Sequence, residues 1–218
     1  VDKVLSEGAG GILRGDGKPD IVVFDIGGVL LDWDPRYLYR KLIHDEDERE
    51  QFLSSVCTMA WNEEQDRGRS FDQAVTDLVL VHPDKADLIH AYNTRWPEMI
   101  SGPILRTVEL LEQLDEAGVP IYALTNFNDI KFQLARSLFP FLNRFKGVVV
   151  SAEEKLIKPD PAIWKVLFER YELDPARCLY TDDRLDNCQI AASLGMHAVH
   201  FTGPAALEKA LKDYGLVG

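Results

Sequence analysis

From residue 104 to residue 201 the sequence alternates between two hydrophobic periods, and no other feature constrains the fold as tightly. Ile104, Leu105, Val108, Leu111 and Leu114 recur at helical spacing and stop at Gly118, a residue suited to a left-handed helix end. Residues 120–124 (PIYAL) then read as a strand ending at Thr125-Asn126, and a helix follows over 129–138. Residues 147–150 (GVVV) read as a strand ending at Ser151. Asp160-Pro161 supplies an N-cap and a first-turn proline for a helix that buries Ile163, Val166 and Leu167. Cys178 to Thr181 read as a strand ending at Asp182-Asp183. A helix from Asn187 to Leu194 stops at Gly195, and His197 to Phe201 form the last strand. Strands alternating with helices of this length predict an α/β fold: a Rossmann-like parallel sheet flanked by helices on both faces.

The first strand lies earlier, in IVVFDIGGVLLDW, residues 21–33. Four apolar residues, Ile21 to Phe24, run into Asp25, and Gly27-Gly28 follow. Such a run suits a strand buried on both faces. A carboxylate at its end sits where open α/β sheets keep their chemistry, and the glycines let the backbone approach a ligand.

From Arg36 to about Ile100 the spacing is helical throughout. Tyr37, Leu38, Leu42 and Ile43 mark one helix, and Phe52, Leu53 and Val56 another. Ser70 with Gln73 forms a capping box before Ala74, Val75, Leu78 and Val79. Asp84 is an N-cap candidate for a helix carrying Leu88, Ile89 and Tyr92. This stretch reads as a helical cap inserted after the first strand, over residues 33–102, with hinges near Asp32–Pro35 and Ser101–Pro103. The α/β core then comprises residues 20–32 and 103–218. Residues 1–19 are glycine-rich but lack GxGxxG spacing, a preceding strand or a GKS/GKT ending; they read as a flexible leader, not a phosphate loop.

Composition narrows the partners. The net charge of −12 argues against nucleic acid or an anionic membrane. No apolar run approaches the roughly 18 residues of a membrane helix. Cys57, Cys178 and Cys188 form no CxxC pair and read as reduced core thiols of a cytoplasmic protein. The five histidines show no ligand spacing. A monomer or homodimer is expected.

Four strand ends therefore carry polar groups: Asp25, Thr125-Asn126, Lys158 shortly after the third strand, and Asp182-Asp183. A parallel sheet places all its carboxyl ends on one edge, so these groups can converge. Together they offer a nucleophilic carboxylate, hydroxyl and amide donors, a cation and a metal-binding carboxylate. Alone, each has an ordinary reading as a turn residue, a surface lysine or a helix cap.

The set resembles the haloacid dehalogenase-like superfamily across residues 21–201. Asp25 in FDIGGVLLDWDP matches its nucleophile motif, Thr125 in ALTNFN the second motif, Lys158 in IKPDPAIW the third, and Asp182-Asp183 in TDDRLDNCQ the acidic fourth. The phrasing is most similar to a sugar-phosphatase branch that includes α-glucose-1-phosphatases. The resemblance implies hydrolysis of a small phosphorylated substrate, a sugar phosphate, through an aspartyl-phosphate on Asp25. It implies Mg²⁺ held by Asp25, the Gly27 carbonyl and Asp183, with Asp182 and Asn187 as weaker candidates. Lys158 would steady Asp25, and Thr125 and the Asn126 backbone would donate to the phosphoryl oxygens. One departure stands out: the superfamily's phosphatases place an acid/base Asp two residues after the nucleophile, where this chain has Gly27. Asp32, Asp34, Glu63 or water are the candidate substitutes. In the cap, Trp61 is a candidate to stack on a sugar and Arg67 or Arg69 to meet an anion; the other reading, preferred on the residues alone, packs Trp61 in the cap's own core and turns the charges to water. Trp33 and Arg36 are candidates for the entrance. The rival readings are a metal-independent 2-haloacid dehalogenase and a non-catalytic phosphate-binding protein.

Overall fold

Ile21–Phe24 (β2) sends alternate side chains into two separate cores, and the layers of the molecule follow from that strand. The computed structural model describes residues 12–13 and 17–218. Val22 and Phe24 meet Leu110 and Leu114 of α6 (Leu105–Glu116), Phe132 of α7 (Asp129–Leu138) and Leu207 of α11 (Pro204–Asp213). Ile21 and Val23 meet Ile163, Trp164 and Leu167 of α9 (Pro161–Tyr171) and Cys188 of α10 (Leu185–Ser193). Burial on both faces is why these strands read as unbroken apolar runs.

The sheet runs β1 (Ile12–Leu13), β8 (His197–His200), β7 (Cys178–Asp182), β2, β5 (Ile121–Thr125), β6 (Gly147–Val150). Neighbours are parallel except β1, which is antiparallel to β8. The chain steps from β2 out to β5 and β6, then returns to β7 on the other side of β2. That reversal opens a crevice at the carboxyl ends of β2 and β7. The α/β sheet read from the sequence is present, with ends moved by a residue or two: β7 runs on to Asp182, β8 stops at His200, and α10 starts at Leu185.

The expected flexible leader lies mostly outside the described residues. Within it, Ile12–Leu13 forms a strand, pairing Ile12 with Val199 and Leu13 with Ala198, and so covers the β8 edge.

Between β2 and α6 the two expected hinge segments pair with each other. β3 (Leu31–Trp33) and β4 (Ile100–Pro103) form an antiparallel ribbon with a bulge at Asp32/Trp33. From this ribbon project α1 (Arg36–Leu42), α2 (Glu46–Ser55), α3 (Met59–Asp66), α4 (Phe71–Val81) and α5 (Ala86–Thr94). Side chains of Asp45, Thr58 and Ser70 cap the starts of α2, α3 and α4. Asp84 does not cap α5: Pro83–Lys85 makes a single 3₁₀ turn first, and the helix begins at Ala86. Tyr39, Phe52, Phe71 and Tyr92 fill the centre of the helical layer, continuous with the core on the Phe24 face of the sheet. Cys57, Cys178 and Cys188 are all buried free thiols. Among the described residues no helix is long and apolar enough to cross a membrane.

Candidate active site

The Asp25 N–H donates to the Thr181 carbonyl at 2.9 Å, extending the β2–β7 ladder one residue past Phe24. Asp25 therefore leaves the sheet beside Asp182, the last residue of β7. The residue is buried, 7% exposed, and Oδ1 accepts the Ile26 N–H at 2.7 Å. Gly28 follows with φ +71°, and a Cβ there would overlap the Asp183 carboxylate. A residue without a side chain is thus needed for Asp183 to reach this edge. Carboxylate oxygens of Asp25, Asp182 and Asp183 lie within 4.8 Å of one another.

Lys158 enters from the loop that follows α8 (Ser151–Glu154), and it is 2% exposed. Its Nζ lies 3.0 Å from Asp25 Oδ1 and 2.7 Å from Asp182 Oδ2, and donates to the Leu124 carbonyl and the Tyr180 hydroxyl, each at 3.1 Å. The loop is tied to β5 by a reciprocal amide pair. Asn126 Nδ2 donates to the Lys158 carbonyl at 3.1 Å, and the Lys158 N–H donates to Asn126 Oδ1 at 2.8 Å. The Lys158–Pro159 peptide in this loop is cis. Asp182 also accepts from the Tyr180 hydroxyl, from Asn187 Nδ2 at 3.0 Å and from the Arg184 N–H at 2.8 Å.

These contacts set the charges. Burial raises the Asp25 carboxyl above its ordinary range, Lys158 opposes this, and Asp182 and Asp183 add to it. Burial would also raise Asp182, but Lys158 and the Tyr180 hydroxyl outweigh it and hold that carboxyl low. Burial and Asp182 raise Asp183. For Lys158, burial favours loss of the proton, yet the two flanking carboxylates keep it charged. At the end of β5, Thr125 Oγ1 is buried with no hydrogen-bond partner among the described residues, as is Asn187 Oδ1 beside Asp182. Buried polar atoms are seldom left so, which leaves both free to bond a ligand or solvent.

Above this edge lies a cleft of about 480 Å³, counting space open to solvent. Gly27, Asn126, Phe127, Asn128 and Lys131 line it from the sheet side; Trp33, Asn62, Asp66, Phe71, Trp96 and Ile100 line it from the ribbon and helical layer. Polar contacts seat the helical layer on the sheet edge. Asn128 Nδ2 donates to the Gln65 carbonyl at 3.3 Å, Ser151 Oγ to the Asp66 carbonyl at 2.5 Å, and Lys131 Nζ to Asn93 Oδ1 at 2.6 Å.

Asp25, Asn126, Lys158, Asp182 and Asp183 are thus gathered at one edge, with Thr125 ending the adjoining strand and Gly27 in the cleft. Trp61 and Arg67 are not. Trp61 meets Tyr92 edge-on at 5.1 Å and packs against Phe71 inside the helical layer, and Arg67 faces Glu64 at 3.5 Å; neither lines the cleft. An aromatic on the apolar side of α3 finds better burial among other rings than at a wet entrance. Arg69 pairs with Asp77 and Arg36 with Glu50, while Trp33 does line the cleft. The sequence reading missed Tyr180, Asp66, Asn128 and Lys131. Only Tyr180 left a trace: two residues before Asp182 in a strand, it had to share that residue's face.

A sequence profile of the haloacid dehalogenase-like hydrolases matches residues 19–195. The sesquiterpene phosphatase astK of Aspergillus oryzae is 26% identical over 84% of this chain and 90% of its own. A haloacid dehalogenase-family enzyme of Bacteroides thetaiotaomicron, solved also with magnesium and inorganic phosphate, superposes with a TM-score of 0.67, 23% identity and coverage of 84% of this chain and 93% of that one. L-2-haloacid dehalogenase of Xanthobacter autotrophicus shares the fold at a TM-score of 0.58 and 18% identity, over 92% of this chain and 85% of that one. With the profile spanning most of its length and the same layered sheet beneath it, the chain belongs to the haloacid dehalogenase-like hydrolases.

Proposed function

We propose that this hydrolase is a Mg²⁺-dependent phosphatase that cleaves a small phosphorylated metabolite through an aspartyl-phosphate on Asp25. The observation that carries the reading is the charge balance of this cluster, in which Asp25 and Asp182 are buried and Asp183 faces solvent. Three carboxylates share one ammonium, leaving two negative charges that a single divalent cation offsets. All-oxygen donors suit Mg²⁺. Asp25, Asp183 and Asp182 would hold it with the Gly27 carbonyl. When bound, such a cation neutralises the charge that would otherwise keep an anionic nucleophile from an anionic ester. The magnesium and phosphate bound by the Bacteroides enzyme, and the phosphatase name of the Aspergillus relative, support this reading.

The roles of the chain's own groups follow. Asp25 attacks phosphorus, and Lys158 holds its carboxylate in place and offsets charge on the phosphoryl oxygens. The unpartnered Thr125 hydroxyl and the Asn126 backbone donate to those oxygens. Water then cleaves the aspartyl-phosphate. We assign residues 20–32 and 103–218 to the catalytic core and 33–102 to a cap that selects the substrate. The sequence resemblance favours a sugar phosphate. The walls of Trp33, Phe71, Trp96, Ile100 and Phe127 favour an apolar alcohol in its place. A 2-haloacid dehalogenase needs no cation, and the acidic pair Asp182-Asp183 would then repel its anionic substrate.

A phosphoester panel containing sugar phosphates and apolar alkyl phosphates, run with and without chelator, tests the reading. Turnover that requires Mg²⁺ and falls to background in Asp25→Asn is expected. Turnover unaffected by chelator, or halide release from 2-haloacids in its place, would refute it.

A further inference from the structure

We propose that Asp66, at the carboxyl end of α3, is the proton donor to the leaving oxygen, the task for which Gly27 has no side chain. The proposal rests on the phosphatase reading and adds the missing acid to it. A Cβ placed on Gly27 meets nothing within 4 Å, so the cleft is open where an acid two residues after the nucleophile would stand. Asp66 lines the same cleft as Gly27 and Asn126, and it is the one acidic side chain among its described lining residues.

The candidates named from the sequence are engaged elsewhere. Asp32 accepts the Tyr37 hydroxyl at 2.8 Å, Asp34 faces Arg36 at 3.4 Å, and Glu63 faces Arg184 at 3.6 Å; none lines the cleft.

Asp66 is also held as a working group must be. Ser151 fixes its carbonyl to the sheet side. Asn62 Nδ2 donates to Asp66 Oδ2 at 2.9 Å, and Asn62 is itself fixed by the Tyr92 hydroxyl at 3.0 Å. Asn62 of α3, braced by Tyr92 of α5, thus holds the carboxyl of a residue that lines the cleft. Its surroundings favour the protonated form. Burial, with Glu63 one turn back, pushes the carboxyl up to about 7, against a hydrogen bond from the Asn128 N–H. Tyr92 from α5 also faces the carboxyl; Lys131 from α7 lines the same cleft with its ammonium bonded to Asn93, and Arg184 faces Glu63. An acid that keeps its proton near neutral pH is what this step asks for.

The step balances as follows. Asp25 Oδ bonds to phosphorus as the bond from phosphorus to the ester oxygen breaks, and that oxygen keeps the electron pair. It takes the proton from Asp66 and leaves as the alcohol. Water then attacks phosphorus, hands a proton to the Asp66 carboxylate, and the electron pair of the acyl-phosphate bond returns to Asp25. One water is consumed, and alcohol and phosphate are released.

The test compares first-turnover release of alcohol from an alkyl phosphate with first-turnover release of p-nitrophenolate, which departs without a proton. In Mg²⁺-loaded enzyme, Asp66→Asn should slow the alkyl ester about 100-fold or more and the p-nitrophenyl ester by less than about 3-fold. The alkaline fall in the wild-type profile for the alkyl ester should vanish in the variant. Adding Gly27→Asp to Asp66→Asn should restore at least about 10-fold of the loss, because it places a carboxyl in the open space beside Asp25. Equal losses on both esters without recovery in the double variant, or no loss on the alkyl ester, would overturn the assignment. Wild type that turns over neither ester with Mg²⁺ would instead overturn the phosphatase reading beneath it.

Discussion

At the scale of single residues, Asp66 places an electrostatic cost on the fold. Its carboxyl is raised to about 7 by burial and by Glu63, so between about pH 4 and pH 7 the folded chain holds a proton that the unfolded chain has released. A raised folded-state value means that stability is complete at low pH and declines as pH rises through 7. Asp66→Asn removes the titration. The variant should therefore gain stability relative to wild type on going from pH 5 to pH 8, by about 1–2 kcal/mol after solvent screening at this partly exposed site. Thermal unfolding of both proteins at the two pH values measures this; the same difference at both would contradict it. Such a cost is expected where a group is kept for chemistry and not for stability.

At the scale of elements, β6 shows how this sheet closes its open side. β6 is the strand at the end opposite β1, and its Val148 would offer an N–H and a C=O to any passing strand. The Tyr171 hydroxyl satisfies both, accepting from the Val148 N–H and donating to the Val148 carbonyl at 3.0 Å each. Gly147 makes this possible, because a Cβ there would overlap the Tyr171 ring. Tyr171→Phe should lower stability by about 1–2 kcal/mol, seen as a lower denaturant midpoint at unchanged slope. An unchanged midpoint would mean that solvent satisfies these groups equally well. The β3–β4 ribbon was illegible at this scale for a physical reason. Its strands are three and four residues long, and Gly102 and Pro103 fall inside one of them. No alternation survives in so short a pattern, and the pairing is decided between segments about seventy positions apart.

At the scale of the whole molecule, the cleft belongs to neither layer alone. Its floor comes from the loops after β2 and β5 and from the start of α7, its walls from the ribbon, from the turn at Trp96 and from α3 and α4. Trp96 packs edge-on against Phe127 at 5.6 Å across the divide, and Lys131 lies 5.2 Å from the centre of the Phe71 ring. A ligand that fills the phosphate position should therefore brace both layers. Beryllium fluoride with Mg²⁺, which mimics an aspartyl-phosphate, should raise the unfolding temperature. At a hundredfold excess over its dissociation constant it should add about 2.7 kcal/mol. Asp25→Asn should abolish that shift. A shift of equal size in the variant would separate phosphate-like binding from the Asp25 carboxylate and count against the nucleophile assignment.

What the sequence determined by itself was whatever depends on neighbours along the chain. The burial of β2, the alternation of strand and helix, the stop at Gly118 and the polar groups at or just after four strand ends are all local patterns, and parallel pairing brings such ends to one edge. Only the tertiary structure decided the matters that depend on distance and competition. Trp61 was withdrawn from the cleft because Tyr92 and Phe71 offered a better-packed place, and Arg67 because Glu64 stood within reach. Asp66 came to the cleft because Ser151 and Asn128, more than sixty positions away, hold α3 down on the sheet edge. A lone aspartate in a charged helix looks like solvent-facing surface until the element that covers it is in place.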